Sequence, residues 1–218
     1  MMRGTILACG LLTLAIAWLG PLPALAAHRF SAHMTMHMAV VAVAAPLIGL
    51  AVAGGRFDPA RVAPAAFSPI PASLVELVVV WAWHTPAPHQ FARTSSSGLF
   101  AEQAMFLASG LLVWTAAVGG PRDDAGRTAR GIVALLLTSM HMTLLGALIA
   151  LAPRPLFAHA AAAPEALLDE QHLGGAIMLL VGGASYLAGG LWLSASLLAP
   201  RPGTPTETRR LTIGSVWR

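Results

Sequence analysis

Long apolar stretches interrupted by short polar ones set the pattern of this chain. Six runs, 5–26, 33–53, 70–89, 98–118, 131–151 and 173–199, are close to or above the length a helix needs to cross a bilayer. Crossing about 30 Å of hydrocarbon takes about 20 residues. Between the runs lie the Pro/Gly-rich GGRFDPARVAPAAFSP, the polar ARTSSS, the charged GGPRDDAGRTAR and the longer APRPLFAHAAAAPEALLDEQH. A lone strand in lipid would leave its backbone groups unpaired, so each run reads as a helix. The pattern predicts an all-α fold, a polytopic membrane bundle of about six transmembrane helices. It forms a single domain over 1–199, followed by an Arg/Pro-rich tail over 200–218.

Composition agrees with that pattern. Of 218 residues, 56% are hydrophobic and 10% charged, where soluble domains carry roughly a quarter charged. All 13 basic residues are arginine, and the net charge of +4 is scattered among loops. Scattered charge suits anionic lipid headgroups, not nucleic acid. Cys9 is the single cysteine, which excludes an internal disulfide and a CxxC thiolate site. It is expected to pack in the first span. Any metal must then be held by His, Met or carboxylate.

The arginines orient the bundle. With the N-terminus inside, the inner segments hold Arg3, Arg56, Arg61, Arg122, Arg127, Arg130, Arg201, Arg209, Arg210 and Arg218, against Arg29, Arg93 and Arg154 outside. Both termini are therefore expected in the cytoplasm. Arg3, the apolar core after it and Ala24-Leu25-Ala26 also fit a signal peptide with a cleavage site. The reading taken is a retained helix; cleavage would leave five spans in the same orientation.

That topology sorts the histidines, although none was used to derive it. His28, His33 and His37 precede or open the second span, His84 and His89 end the third, and His159 and His172 belong to the last outer loop. His141 lies within the fifth span, and no inner loop contains a histidine. In HMTMHM, residues 33–38, a helix puts His33 and His37 one turn apart on one face, with Met34 and Met36 flanking it. Imidazole with thioether suits Cu(I), whereas imidazole with carboxylate suits Zn(II) or Cu(II). The competing reading is an interfacial helix end with methionine as flexible filler.

Other positions carry paired readings. In VVVWAWHTPAPH, Trp81 and Trp83 read as interface anchors, while Pro86 and Pro88 stop the helix and leave His84 at the outer rim. Ser73 and Glu76 have capping-box spacing, preferred to a proton-carrying role for Glu76. Glu102 in GLFAEQAMF either meets the helix dipole or orients a metal-bound imidazole from behind. His141 in TSMHMT sits about 15 Å along its span, where an ionisable group is a functional candidate or a hydrogen bond between helices. In LLDEQHLGGAIM, Asp169 and His172 are three apart and could serve one site, and Gly174-Gly175 permit close helix approach.

The ordered set FSAHMTMHMAVVAVAAPLIGL, WAWHTP, AEQAMFLASGLLVW, SMHMTLLGALIAL and LDEQHLGGAIM resembles the multi-spanning CtaG-type cytochrome c oxidase assembly factors. The resemblance implies a plasma-membrane protein needed to make active terminal oxidase, acting in copper-centre assembly. It points to His33, His37, His84, His141 and Asp169. It also marks a departure, since the family often has Glu-His where this chain has Glu102-Gln103.

Residues and resemblance together give the expectation of a non-catalytic assembly factor in the bacterial inner membrane. It binds copper, as Cu(I), at the outer face through His33, His37, His84, His141, Met34, Met36 and His172. Glu102 and Asp169 stand behind the ligands. Oxidase subunits, an extracytoplasmic copper donor and membrane lipids are the expected partners. Two rival classes remain: a zinc-dependent intramembrane hydrolase, and a b-haem electron carrier with axial histidines.

Overall fold

A computed structural model describes residues 2–121, 124–157 and 164–199. The tail from 200, His159 and Arg122 lie outside the described residues. Helix α1 (Met2–Leu19) is followed by the short α2 (Leu22–Ala26) and by α3 (Phe30–Val52). A single turn, α4 (Pro59–Val62), leads to α5 (Pro69–Trp83) and α6 (Pro86–Thr94). Helices α7 (Ser96–Val118), α8 (Ala125–Ala150) and α9 (Glu165–Leu198) complete the described fold.

Five of these, α1, α3, α7, α8 and α9, are long and apolar enough to cross a membrane. The chain is an all-α, multi-spanning bundle. The run expected over 70–89 is instead a 15-residue helix, α5, that stops at Trp83. At 1.5 Å per residue it covers about 22 Å, less than the hydrocarbon thickness. The run expected over 5–26 is likewise broken, at Gly20-Pro21.

Helix α8 packs against α5, α7 and α9, and α3 packs against α1, α7 and α9. Helix α1 lies at the periphery, fastened to α7 by a hydrogen bond from Trp18 Nε1 to Gln103 Oε1 at 3.1 Å. Cys9 is exposed on α1 and not packed. The close approach expected at Gly174-Gly175 is present. A Cβ on Gly146 would lie 2.9 Å from the Gly175 carbonyl oxygen, and one on Gly174 would strike the Phe30 ring.

At one end of the bundle a buried latch ties the loops together. Asp58 accepts hydrogen bonds from the amides of Gly54 (2.7 Å), Ala60 (3.0 Å) and Gly120 (2.9 Å). Arg127 donates to the carbonyls of Phe67, Ala116 and Gly119 at 2.7–3.1 Å. Gly54 and Gly120 have φ of 67° and 89°, conformations that side chains rarely adopt. The histidines gather at the opposite end.

Two π-helical turns interrupt the long helices, at Ala39–Ala44 in α3 and Met178–Gly182 in α9. The first has a cause in the sequence. Ala45 N–H bonds the carbonyl of Val40, five residues back, and Pro46 has no N–H to offer. The Val41 carbonyl thus loses both possible donors on its own helix and accepts from Tyr186 Oη at 3.2 Å. Ala42 accepts similarly from Ser185 Oγ at 2.7 Å.

Candidate metal centre

Four short pieces of chain assemble the site: the first turns of α3, the C-terminal end of α5, α6, and the second turn of α7. The helix expected at HMTMHM forms, with Arg29 in extended backbone before it. Its start is fixed from α9, where Glu170 Oε2 accepts from Ser31 N at 3.1 Å and from Ser31 Oγ at 2.5 Å. Both groups lie in the first turn of α3, where amides lack partners of their own. His33 and His37 consequently share one buried face, each with 0% exposure.

Pro86 does more than stop α5. With its fixed φ and no amide hydrogen it occupies the first position of α6. The new helix turns His89 and Arg93, four residues apart, inward on a common face. His89 is buried against Phe30 and Phe157, with ring centroids 5.5 and 4.5 Å away.

The histidines form a continuous group. The His33 ring centroid is 5.0 Å from that of His89 and 6.1 Å from that of His84, and His84 is 5.4 Å from His37. Phe106 closes the inner side, 3.9 Å from the His37 centroid. His84 Nδ1 lies 2.6 Å from the Val80 carbonyl oxygen. A carbonyl only accepts, so Nδ1 carries the proton and Nε2 keeps its lone pair. That Nε2 is buried without a hydrogen-bond partner, as are both ring nitrogens of His33, of His37 and of His141.

Glu102 is the acid of this group and is fully buried. Its Oε2 accepts from Arg93 Nη2 at 2.5 Å and from Gln103 Nε2 at 3.3 Å, and lies 3.6 Å from His33 Nδ1. Its Oε1 has no partner. Arg93 also donates to the Ala26 carbonyl at 3.3 Å. Burial lowers the pKa of the Arg93 guanidinium, and the carboxylate of Glu102 acts in the opposite direction. The helix-dipole role for Glu102 does not hold, because α7 begins at Ser96 and Ser95 Oγ caps it by accepting from Gly98 N at 3.0 Å.

One ligand atom from each of His33, His89 and Glu102 lies within 4.8 Å of the other two. The two unbonded buried nitrogens of His33 beside the unbonded Glu102 Oε1 are costly unless something engages them. This observation makes the residues fit for a metal ion. Imidazole and carboxylate are donors for a borderline cation, and the set by itself does not single out copper.

The other sequence candidates fall elsewhere. Met34 packs against Gly174 on α9, and Met36 lines a cavity of about 270 Å³ with Trp18, Leu99, Phe100 and Gln103. They flank the histidine face without joining the cluster. His172 Nε2 lies 3.0 Å from the Ala152 carbonyl oxygen, and Asp169 is exposed. From LLDEQH it is Glu170 that reaches α3, while Gln171 fastens Leu156 and Ile149. His141 is buried on α8, outside the group of His33, His89 and Glu102. Trp83 is a core residue that donates to Met105 Sδ at 3.3 Å, not an interface anchor. The capping box also gives way. Ser68 occupies the position before α5, Ser73 pairs with Thr138 at 2.8 Å, and Glu76 pairs with Tyr186.

Sequence reasoning left His89 out of the candidate ligands and used Arg93 only to orient the bundle. The available signal was the spacing from Pro86, a helix-starting proline followed by a polar pair at helical separation.

The fold and the cluster define a class: a multi-spanning membrane protein with an internal set of imidazole and carboxylate ligands. Residues 2–199 match the family model described as cytochrome c oxidase caa3 assembly factor (Caa3_CtaG). The chain belongs to that family of assembly factors. No curated protein and no solved structure matches it.

Proposed function

We propose that this protein binds copper transiently at the histidine cluster and supports maturation of a metal centre in cytochrome c oxidase. The observation that carries the reading is the convergence of His33, His89 and Glu102, with unbonded nitrogens of His37 and His84 beside them. His33 and His89 are the principal ligands, His84 Nε2 and His37 extend the set deeper, and Glu102 supplies an oxygen. His141, buried further along α8, belongs to the interior and not to this entrance. With Met34 and Met36 turned to other partners, selection of Cu(I) rests on the imidazoles alone.

The arginine bias supports a cytoplasmic location for both termini. The cluster then opens to the extracytoplasmic side, where a copper donor and an oxidase subunit could reach it. A cleft of about 220 Å³ lined by Pro23, Ala27, Ala92, Arg93, Ser95 and Leu99 comes to the cluster only at Arg93, the partner of Glu102.

The test uses the full chain purified in detergent. It is loaded separately with Cu(I) under reductant, Cu(II) and Zn(II), and bound metal is counted after passage over a chelating resin. Retention of copper by the wild type and loss in His33→Ala/His89→Ala, with falling oxidase activity in cells carrying that variant, is the expected result. Zinc retained in preference to copper would replace the copper reading. A double variant that binds copper as the wild type does would end it.

A further inference from the structure

Beneath the histidines the bundle holds a second group of buried polar side chains. Glu76 on α5 has 0% exposure, and its Oε1 lies 2.5 Å from Tyr186 Oη on α9. The same phenol oxygen is 3.2 Å from the Val41 carbonyl, which Pro46 has deprived of a donor. Glu76 Oε2 has no hydrogen-bond partner. Ser73 and Thr138 pair with each other at 2.8 Å one turn from the carboxyl.

Counting hydrogens decides the state of this group. With Glu76 ionised, the phenol supplies one hydrogen for two close oxygen–oxygen contacts. Either Val41 or the carboxylate then faces another acceptor with nothing between them. A bare carboxylate, helped only by the Thr138 hydroxyl beside it, would also remain a charge in an apolar interior, and that hydroxyl supplies no hydrogen to the Tyr186–Val41 contact. One added proton completes the account: Glu76 O–H donates to Tyr186 Oη, and Tyr186 O–H donates to the Val41 carbonyl.

We propose that Glu76, Tyr186 and the Val41 carbonyl form a proton-binding site inside the bundle, and that Glu76 gives up this proton when a cation occupies the histidine cluster. The second half of this proposal rests on the cation-binding reading above. Val41 follows His37 by four residues, about 6 Å along α3, and Glu76 precedes His84 by eight, about 12 Å along α5. At about 12 Å, with an effective dielectric constant of about 20, one added positive charge favours ionisation of a carboxyl group roughly tenfold.

In the exchange the Glu76 O–H bond breaks and the proton passes to a base in bulk solvent. The phenol hydrogen then turns from Val41 to the carboxylate. No electrons move. The ionisable groups on the elements packed against α5 are His141, Arg127 and Arg130 on α8, Glu102 on α7, and His89 and Arg93 on α6, with Tyr186 in direct contact. Arg127 is held at the far end by backbone carbonyls, and Arg93 by Glu102.

Infrared spectroscopy of the full chain in lipid at neutral pH tests the first half. The expected result is a carboxylic-acid C=O band that disappears in Glu76→Gln and shifts in Tyr186→Phe, where the acid loses its acceptor. Absence of that band overturns the proposal. Titration with Cu(I) in weak buffer containing a pH indicator tests the second half. The wild type is expected to release measurably more protons per bound cation than Glu76→Gln, by up to one. Equal release with intact binding overturns the coupling and leaves the cation reading standing. Failure of the wild type to bind any cation overturns the coupling together with that reading, and the infrared band still decides the acid.

Discussion

Replacing Arg93 by methionine separates the structural role of the Arg93–Glu102 pair from its effect on a bound cation. The guanidinium is almost fully buried and 2.5 Å from Glu102 Oε2, the oxygen that also faces His33 Nδ1 at 3.6 Å. A cation held between His33, His89 and Glu102 would lie roughly 5 Å from the Arg93 charge. Two unit positive charges at about 5 Å, with an effective dielectric constant of about 20, repel by roughly 3 kcal/mol. Arg93 would therefore hold the affinity for such a cation down by about two orders of magnitude, while it pairs with Glu102 when none is bound. Arg93→Met should tighten cation binding by roughly 10- to 100-fold, the lower figure allowing for partial retention of a proton by the unpaired Glu102. The same change should cost the metal-free protein about 3 kcal/mol, the usual cost of breaking a buried pair. Competition against a chromophoric Cu(I) chelator reads the first effect, and thermal unfolding in detergent with and without the cation reads the second. Unchanged or weaker binding in a folded variant would refute the reasoning, because it would place the cation away from Arg93.

Further outcomes follow from the same geometry. His89→Ala should reduce cation binding at least tenfold, while His172→Ala should leave it unchanged; equilibrium dialysis of both variants checks the pair. Gly146→Ala should lower stability by about 1–3 kcal/mol, since the added methyl lies 2.6 Å from the Leu179 nitrogen, and backbone cannot give way as a side chain can. Its midpoint in denaturant reports the loss. Asp58→Ala removes the acceptor of three amides and should cost roughly 3 kcal/mol without altering cation affinity, because the latch lies at the other end of the bundle. Thermal unfolding beside a cation titration distinguishes that result from damage to the site.

The all-α bundle was legible because lipid permits few alternatives. An apolar run of adequate length has to be a helix, and HMTMHM at the start of one had to place His33 and His37 on a single face. Local chemistry beyond that depended on directions that a sequence does not state. HTPAPH reads as a helix stop, and α5 does stop there. Whether the next residues turn inward or out to solvent depends on the angle between α5 and α6, which is set by packing against Phe30 and Phe157. That angle decides whether His89 and Arg93 join the site. The spacing of Ser73 and Glu76 misled for a related reason. It matches a capping box, but α5 starts earlier, at Pro69, and the partners that claim both side chains come from α8 and α9.

Glu102 shows how the two kinds of information combine. Sequence alone left it between helix dipole and metal partner, because both roles put an acid near a helix start. The structure separates them by about two helical turns: Ser95 has already satisfied the cap, so the carboxylate is left to Arg93 and the imidazoles. An acid paired with an internal arginine beside unbonded histidines is neither a closed ion pair nor a finished metal site. Strong retention would call for more donors and no competing cation. Easy release calls for a few ligands from separate helices and a built-in positive charge ready to reclaim the carboxylate. The second arrangement is the one present, and it accords with the transient cation binding proposed above.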